Sequence, residues 1–295
     1  MPWTSLNVQT IKKNVDSISD YLTLLGAIST SIENTNFNKS NEELIFDEPN
    51  NKSHEYWKNN TVTALFETTI DIELVKIALQ NKFIDENLSF NSAIVQDQDW
   101  VELIHSQFFP IKINKKLWVI PTWHKIKDKN AINLFLDPGL AFGTGAHPTT
   151  HLCLSWLSHN VNDDKTVLDY GCGSGILSIA SKKLGAKKVF GVDIDLKAIE
   201  TSQENAKKNN VEIFWSNSQN KKNFKVNIVV ANILSSALII LAPVLASFCE
   251  TDGKIVLSGI LEPQEKLIKK VYSKWFDIEP STSKEGWVMV IGTKR

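Results

Sequence analysis

The stretch from Thr166 to Asp195, TVLDYGCGSGILSIASKKLGAKKVFGVDID, constrains the fold of this chain more than any other. Val167 and Leu168 begin a short apolar run, of the kind buried between helices on both faces of a sheet. Gly171, Gly173 and Gly175 follow at alternate positions, where the missing Cβ lets the backbone turn tightly and a ligand come close. Ile176 to Leu184 has helical apolar spacing and stops at Gly185, a left-handed C-cap by its position. Lys187 to Val192 reads as a second strand. Asp193 ends it, about 20 residues after the glycines, the distance at which a carboxylate accepts from ribose hydroxyls. The whole reads as a nucleotide-binding βαβ unit.

The type of nucleotide follows from two details. A dinucleotide fingerprint runs G-x-G-x-x-G, with pyrophosphate at the helix N-terminus. Here the glycines are followed by Ile176, with neither glycine nor alanine at the sixth position. Asp169 stands just before the turn, where a carboxylate repels a pyrophosphate and suits a ligand with a cationic amino-acid end. S-adenosylmethionine has an ammonium, a sulfonium and no phosphate, so the charge favours it.

Around this unit the pattern divides the chain. Strand-like alternation at Trp3 to Gln9, Ala27 to Glu33, Thr61 to Glu67 and Leu88 to Gln96 is interleaved with helical spacing at Val15 to Leu25 and Ile70 to Gln80. The order β-α-β-β-α-β is that of a ferredoxin-like α+β domain, expected over residues 1–97. Asn34 to Asn60 reads as a loop or hairpin. Residues 98–129 are expected to hold a linker helix at Trp100 to His105 and short strands at Ile111 to Ile113 and Leu117 to Ile120. Residues 130–295 form the second block: a helix at His151 to Leu157, the βαβ unit, a third strand at Glu212 to Trp215, and a fourth at Val226 to Ala231 ending at Asn232. A helix at Ser235 to Cys249 follows. A turn at Asp252-Gly253 then leads into a strand at Lys254 to Ser258, and a helix spans Gln264 to Trp275. Two last strands, Phe276 to Ser281 and Trp287 to Thr293, are joined at Glu285-Gly286 and so must be antiparallel. A Rossmann-like sheet closed by such a hairpin is the class I methyltransferase pattern.

Three further features carry chemistry. Asn232 sits at the carboxyl end of a strand, where ligands lie in open α/β sheets, and its amide oxygen can accept from an amine or from the cofactor. Phe142 to Gly145 is too glycine-rich for a packed element and too apolar for a random surface loop, so it reads as a loop folding over a ligand. Pro148 to Thr150 can start the next helix, with Thr149 or Thr150 as its cap; His147 reads as a polar loop residue. The three cysteines and six histidines show no ligand spacing, so no metal is expected.

Charge is unevenly divided. Residues 1–100 hold 15 acidic and 7 basic side chains, a net −8, and the remainder is +7. An acidic N-terminal third suits a basic protein partner and opposes direct nucleic-acid binding. The start lacks a signal-peptide pattern, and the apolar run Ala237 to Phe248 is too short for a bilayer and broken by Pro243. A cytoplasmic monomer without membrane attachment is expected.

The chain resembles the PrmA family, the methyltransferases of ribosomal protein L11. The resemblance is carried by the MPW start, WVIPTW at Trp118 to Trp123, DPGLAFGTGAHPTTHLCL at Asp137 to Leu154, VLDYGCGSGILSIA at Val167 to Ala180, GVDIDLKAI at Gly191 to Ile199, VVANIL at Val229 to Leu234 and LSGIL at Leu257 to Leu261. It implies an N-terminal ferredoxin-like domain that grips the ribosomal protein, a linker helix and a class I catalytic domain with a seven-stranded sheet. It implies lysine ε-amines and the N-terminal α-amine as acceptors, and cofactor contacts at Thr150, Gly171, Asp193 and Asn232. Around Trp100 to Phe109 the linker is less tryptophan-rich than the family pattern. Other functions fit less well. Glutamine and base methyltransferases often carry N-P-P-Y/F where this chain has Asn232-Ile233-Leu234, and a ribosomal RNA methyltransferase is expected to have a basic accessory domain. A non-catalytic adaptor and a dehydrogenase are the readings from other classes.

Overall fold

Alternating burial builds the N-terminal sheet. In β1 (Trp3–Ile11), Leu6 and Val8 point inward; in β3 (Asn59–Glu67), Val62, Ala64 and Phe66 do the same. Between them in sequence lie α1 (Val15–Leu24) and β2 (Ser29–Asn34), and after them α2 (Ile72–Lys82) and β4 (Ser89–Val95). The sheet order is β2-β3-β1-β4 with every neighbouring pair antiparallel, the ferredoxin-like arrangement. Val15, Ile18 and Leu22 make one stripe on α1, and Val75 and Leu79 one on α2; both stripes close over the inward side chains of the strands. Asp71 caps α2 directly, its carboxylate accepting from the Glu73 N–H at 2.9 Å.

A computed structural model of the protein describes residues 2–35, 56–95, 108–137, 145–218 and 224–295. The expected linker helix at Trp100 to His105, most of the Asn-rich stretch and residues Phe142 to Thr144 lie outside the described residues. The chain divides into two units, Met1–Trp100 and Val101–Arg295.

The second unit begins with a small sheet, β5 (Ile111–Lys112), β6 (Leu117–Ile120) and β7 (Ile132–Phe135), in which β6 and β7 run parallel. The main sheet follows: α3 (Pro148–Asn160), β8 (Thr166–Tyr170), α4 (Ile176–Lys183), β9 (Lys188–Asp193), α5 (Leu196–Lys208), β10 (Phe214–Asn217), β11 (Val226–Asn232), α6 (Ser235–Phe248), β12 (Cys249–Leu261), α7 (Glu265–Tyr272), β13 (Phe276–Ile278), β14 (Thr282–Lys284) and β15 (Trp287–Lys294). Its strand order is β10-β9-β8-β11-β12-β15-β13, with β15 antiparallel to both neighbours and β14 paired to β15. This is the class I methyltransferase topology. The parallel strands are apolar on both faces, and two separate cores cover them. One takes in α3, α4 and the small sheet; the other takes in α6 and α7.

Several elements differ from the sequence reading. The strand expected at Phe276 to Ser281 ends at Ile278 as β13, the outer strand of the main sheet, and a separate strand, β14, follows it; the turn at Glu285-Gly286 joins β14, not β13, to β15. Both turn residues have positive φ, 53° and 79°, which suits the twist of a two-residue hairpin. Strand β12 starts at Cys249 and takes up Asp252-Gly253 as an irregularity in its pairing with β11, rather than beginning after a turn. Helix α6 runs through Pro243, which removes one N–H donor at an exposed position and does not end the helix. No helix among the described residues is long and apolar enough to cross a membrane.

Candidate functional site

The glycine turn is fixed from three sides. The N–H groups of Gly171 and Cys172 donate to Val192 O at 2.7 and 3.1 Å, which ties the turn to the end of β9. Ser202 Oγ on α5 donates to Gly173 O at 2.8 Å, and Asn205 Nδ2 donates to Ser174 O at 2.9 Å. Both side chains lie on the buried face of α5, where an amphipathic helix ordinarily places apolar residues. They give the turn's carbonyls donors that water would otherwise supply. Gly171 has φ +78°, and a Cβ there would collide with Ile233 Cγ2, so the turn and the loop after β11 touch without room for a side chain.

Asp193 closes the far side. Its Oδ2 accepts from Gly173 N–H at 2.9 Å and its Oδ1 from Asp195 N–H at 3.0 Å. Each carboxylate oxygen retains a further lone pair for a hydroxyl donor. Asn232 ends β11, and its Nδ2 donates to Thr150 Oγ1 at 3.3 Å, which leaves the amide oxygen as the acceptor. The four residues expected at the site therefore fall at the carboxyl ends of β8, β9 and β11 and on the first turn of α3. Thr150 meets Asn232, Gly171 adjoins Ile233, and Gly173 joins the Gly171 turn to Asp193. Phe142 to Thr144, read as a covering loop, lie outside the described residues.

Thr150 does not cap α3. His147 does: its Nδ1 accepts from Thr149 N–H at 3.4 Å and is 2.7 Å from Thr149 Oγ1. The reading of His147 as a plain loop residue is thereby corrected. The misreading came from the usual ranking of caps, which favours hydroxyl and carboxamide side chains. Its ring meets Trp287 edge to face, with centroids 4.9 Å apart. Burial holds the His147 imidazole below its ordinary pKa, while Glu285 pulls it the other way. With Thr150 relieved of capping, its buried hydroxyl is the partner of Asn232.

Asp169 is fully buried under the turn. Its Oδ2 accepts from both the N–H and the hydroxyl of Ser178, at 3.0 and 2.7 Å, in the first turn of α4. Its Oδ1 is buried with no hydrogen-bond partner among the described residues. Burial pushes the carboxyl up to about 7, against the two Ser178 bonds that favour the charged form. The chemistry of this donor set distinguishes between ligands. A pyrophosphate would use the α4 N-terminus, where a carboxylate already takes up an N–H. An orphan acceptor beside the turn instead suits a ligand carrying an ammonium. Ser178, Ser202 and Asn205 were not singled out in the sequence; their signal is a polar residue at the inward position of an amphipathic helix. No group of three or more His, Cys, Asp or Glu side chains placed to hold a metal occurs among the described residues.

Comparison with known proteins agrees across the chain's length. The family model described as ribosomal protein L11 methyltransferase (PrmA) matches residues 2–295. A protein of that name from Methylobacillus flagellatus is 44% identical over 295 residues, all of both chains, and one from Thiobacillus denitrificans is 43% identical over 296 residues, again all of both. Among solved structures, a ribosomal protein L11 methylase from Lactobacillus delbrueckii subsp. bulgaricus superposes with a TM-score of 0.60 at 32% identity, covering 64% of this chain and 100% of its own.

Proposed function

The chain belongs to the ribosomal protein L11 methyltransferase (PrmA) family, and we propose on that premise that it transfers methyl groups from S-adenosylmethionine to amines of ribosomal protein L11. The acceptors are lysine ε-amines and the N-terminal α-amine. One observation carries the reading within the site: the Thr150–Asn232 pair, which leaves an amide oxygen free at the carboxyl end of β11, next to the Gly171 turn.

S-adenosylmethionine supplies a methyl group already made electrophilic by its sulfonium. The chain's residues bind and align. The bare backbone at Gly171 admits the ligand to van der Waals contact, Asp193 accepts from ribose hydroxyls, and Asp169 Oδ1 offers an acceptor for the ammonium. Thr150 and Asn232, two of the four expected cofactor contacts, also serve the acceptor: Asn232 Oδ1 accepts an N–H of the incoming amine and so orients its lone pair, while Thr150 keeps the amide from rotating. Orientation of this kind supplies roughly 7–11 kcal/mol in favourable intramolecular cases.

The attacking amine must first be neutral. Deprotonating a lysine with pKa about 10.4 costs roughly 4.6 kcal/mol at pH 7, against about 1.4 for an α-amine near 8. No side chain is assigned as a base; desolvation at the site lowers the lysine's pKa instead. A rate of lysine methylation that climbs about tenfold per pH unit all the way from about pH 6 to 9 in chemistry-limited single turnovers, as an unperturbed lysine would give, would sink that part of the proposal.

The N-terminal unit (expected over residues 1–97, with 98–129 as connector and 130–295 as catalytic domain) grips the substrate. Its −8 charge complements a basic protein. A ribosomal substrate puts the enzyme in the cytoplasm. The test is mass spectrometry of purified L11 after incubation with the protein and S-adenosylmethionine. Added methyl masses on lysine or the N-terminus support the proposal. Unmodified L11, with cofactor binding intact by calorimetry, rejects this substrate.

A further inference from the structure

We propose that the neutral imidazole of His147 is a positioning group for methyl transfer: by capping α3 it holds Thr150 against Asn232, and its protonation releases that hold. The inference rests on the alignment role given above to Thr150 and Asn232.

The geometry of one helix turn leads to it. Pro148 occupies the first helical position and has no N–H, so the Thr149 N–H is the first donor of α3 that needs a partner. His147 Nδ1 accepts it, and the Thr149 hydroxyl lies on the same ring nitrogen at 2.7 Å. In the proposed form Nδ1 accepts and carries no proton, so the neutral ring has its proton on Nε2. Trp287 on β15 packs edge-on against the ring and fixes its plane. The next residue along, Thr150, is 2% exposed and takes the Asn232 hydrogen bond. His147 thus holds Thr149, the main-chain neighbour of Thr150, and Thr150 in turn holds the Asn232 amide.

Protonation breaks that hold at its start. An imidazolium turns Nδ1 into a donor facing the donor it should accept from, and it places positive charge at the positive end of the α3 dipole. The charged and titratable neighbours are few. Glu285, in the turn between β14 and β15, favours the imidazolium at His147. His151 lies one turn along α3, its N–H bonded to His147 O at 3.0 Å, and faces both Lys284 and Glu285. Burial lowers both imidazoles below the ordinary histidine value and outweighs Glu285. The capping form therefore persists through neutral pH and is lost only below the ordinary value of about 6.5.

Two measurements on the full-length protein test this. The first is 15N NMR of histidine-labelled enzyme at pH 7.5, which reads the tautomer directly: a neutral His147 ring protonated on Nε2 is expected, and a ring protonated on Nδ1 or an imidazolium overturns the proposal. The second is kcat/KM for L11 from pH 5 to 8 in wild type, His147→Asn and His147→Ala. Asparagine caps a helix without titrating, so His147→Asn is expected to recover most of the roughly fivefold to tenfold loss caused by His147→Ala. Protonation of the substrate amine affects all three alike and cancels in the ratios. The ratio of wild type to His147→Asn should stay level above pH 6.5 and fall below it. A ratio level throughout, with His147→Ala as active as His147→Asn, overturns the proposal. Thr150→Ala separates the two claims: if it is slow while the ratio is level, the alignment role survives and only the His147 inference fails; if it is as fast as wild type, the alignment role itself is wrong.

Discussion

Among the described residues, the N-terminal unit buries two polar side chains, Thr10 and Asn60, whereas the C-terminal unit buries twelve. The difference follows from the sheets. The four-stranded antiparallel sheet is covered on one face, so its polar residues have water to face: Ser5, Asn7 and Gln9 on β1 pair with Leu65, Thr63 and Thr61 on β3 along the side away from the helices. The parallel sheet is covered on both faces, and its polar groups are used inside, where Ser178, Ser202 and Asn205 hold Asp169 and the glycine turn in place. One unit is a packed scaffold whose polar side chains at Ser5, Asn7 and Gln9 lie on the side of the sheet away from the helices. The other holds a fixed polar constellation at the ends of its strands, and there a buried hydrogen bond left unmade costs about 1–3 kcal/mol.

Changes in each unit should therefore fail in different ways. The largest expected effect is on the stability of the N-terminal unit. Phe66→Ala empties a fully buried position and should cost about 3–5 kcal/mol in urea unfolding, raising KM for L11 while the cofactor dissociation constant, read by calorimetry, stays put. Gly171→Val should act in reverse. Its positive φ and the contact with Ile233 make the substitution strained, by about 1–3 kcal/mol. Cofactor affinity should fall about 10- to 100-fold by calorimetry, with urea unfolding of the N-terminal unit unchanged.

Asp169 gives the pH signature of the C-terminal unit. Its folded pKa, about 7, lies above the unfolded carboxylate value of 3.8, so the unfolded state releases this proton first as pH rises. The group therefore destabilises progressively between those values and contributes no further change above pH 7. Asp169→Asn removes the effect, and unfolding by denaturant at pH 5 and pH 7 should show the variant gaining on wild type by on the order of 2 kcal/mol across that range. The smallest effect is Asp71→Ala, which removes the α2 cap for about 1 kcal/mol of stability and should leave cofactor affinity untouched.

What the sequence made legible was local. The strand–glycine–helix–strand unit lies within some thirty residues, and Gly185 and Asp193 mark its punctuation directly. The ferredoxin-like order was equally plain from alternation in β1 and β3 and from the stripes on α1 and α2. The Thr150–Asn232 bond joins residues 82 apart and exists only because the strand order brings α3 over β11. Cap assignment failed at His147 because two threonines follow it and rank higher by propensity, while the contact with Trp287 that orients the ring comes from the last strand. Strand β14 was missed because the expected strand ran from Phe276 through Pro280 to Ser281, past the proline that marks its end, and left Thr282 to Lys284, three residues without an apolar side chain, to the turn.

The division of labour between the units is tested most directly by steady-state kinetics of Asp193→Ala, with L11 and S-adenosylmethionine each varied in turn. The account predicts a higher KM for the cofactor, by about tenfold for the loss of hydrogen bonds to a charged acceptor, with KM for L11 unchanged. A variant whose cofactor KM matches wild type, or whose KM for L11 rises as far as that for the cofactor, would contradict it.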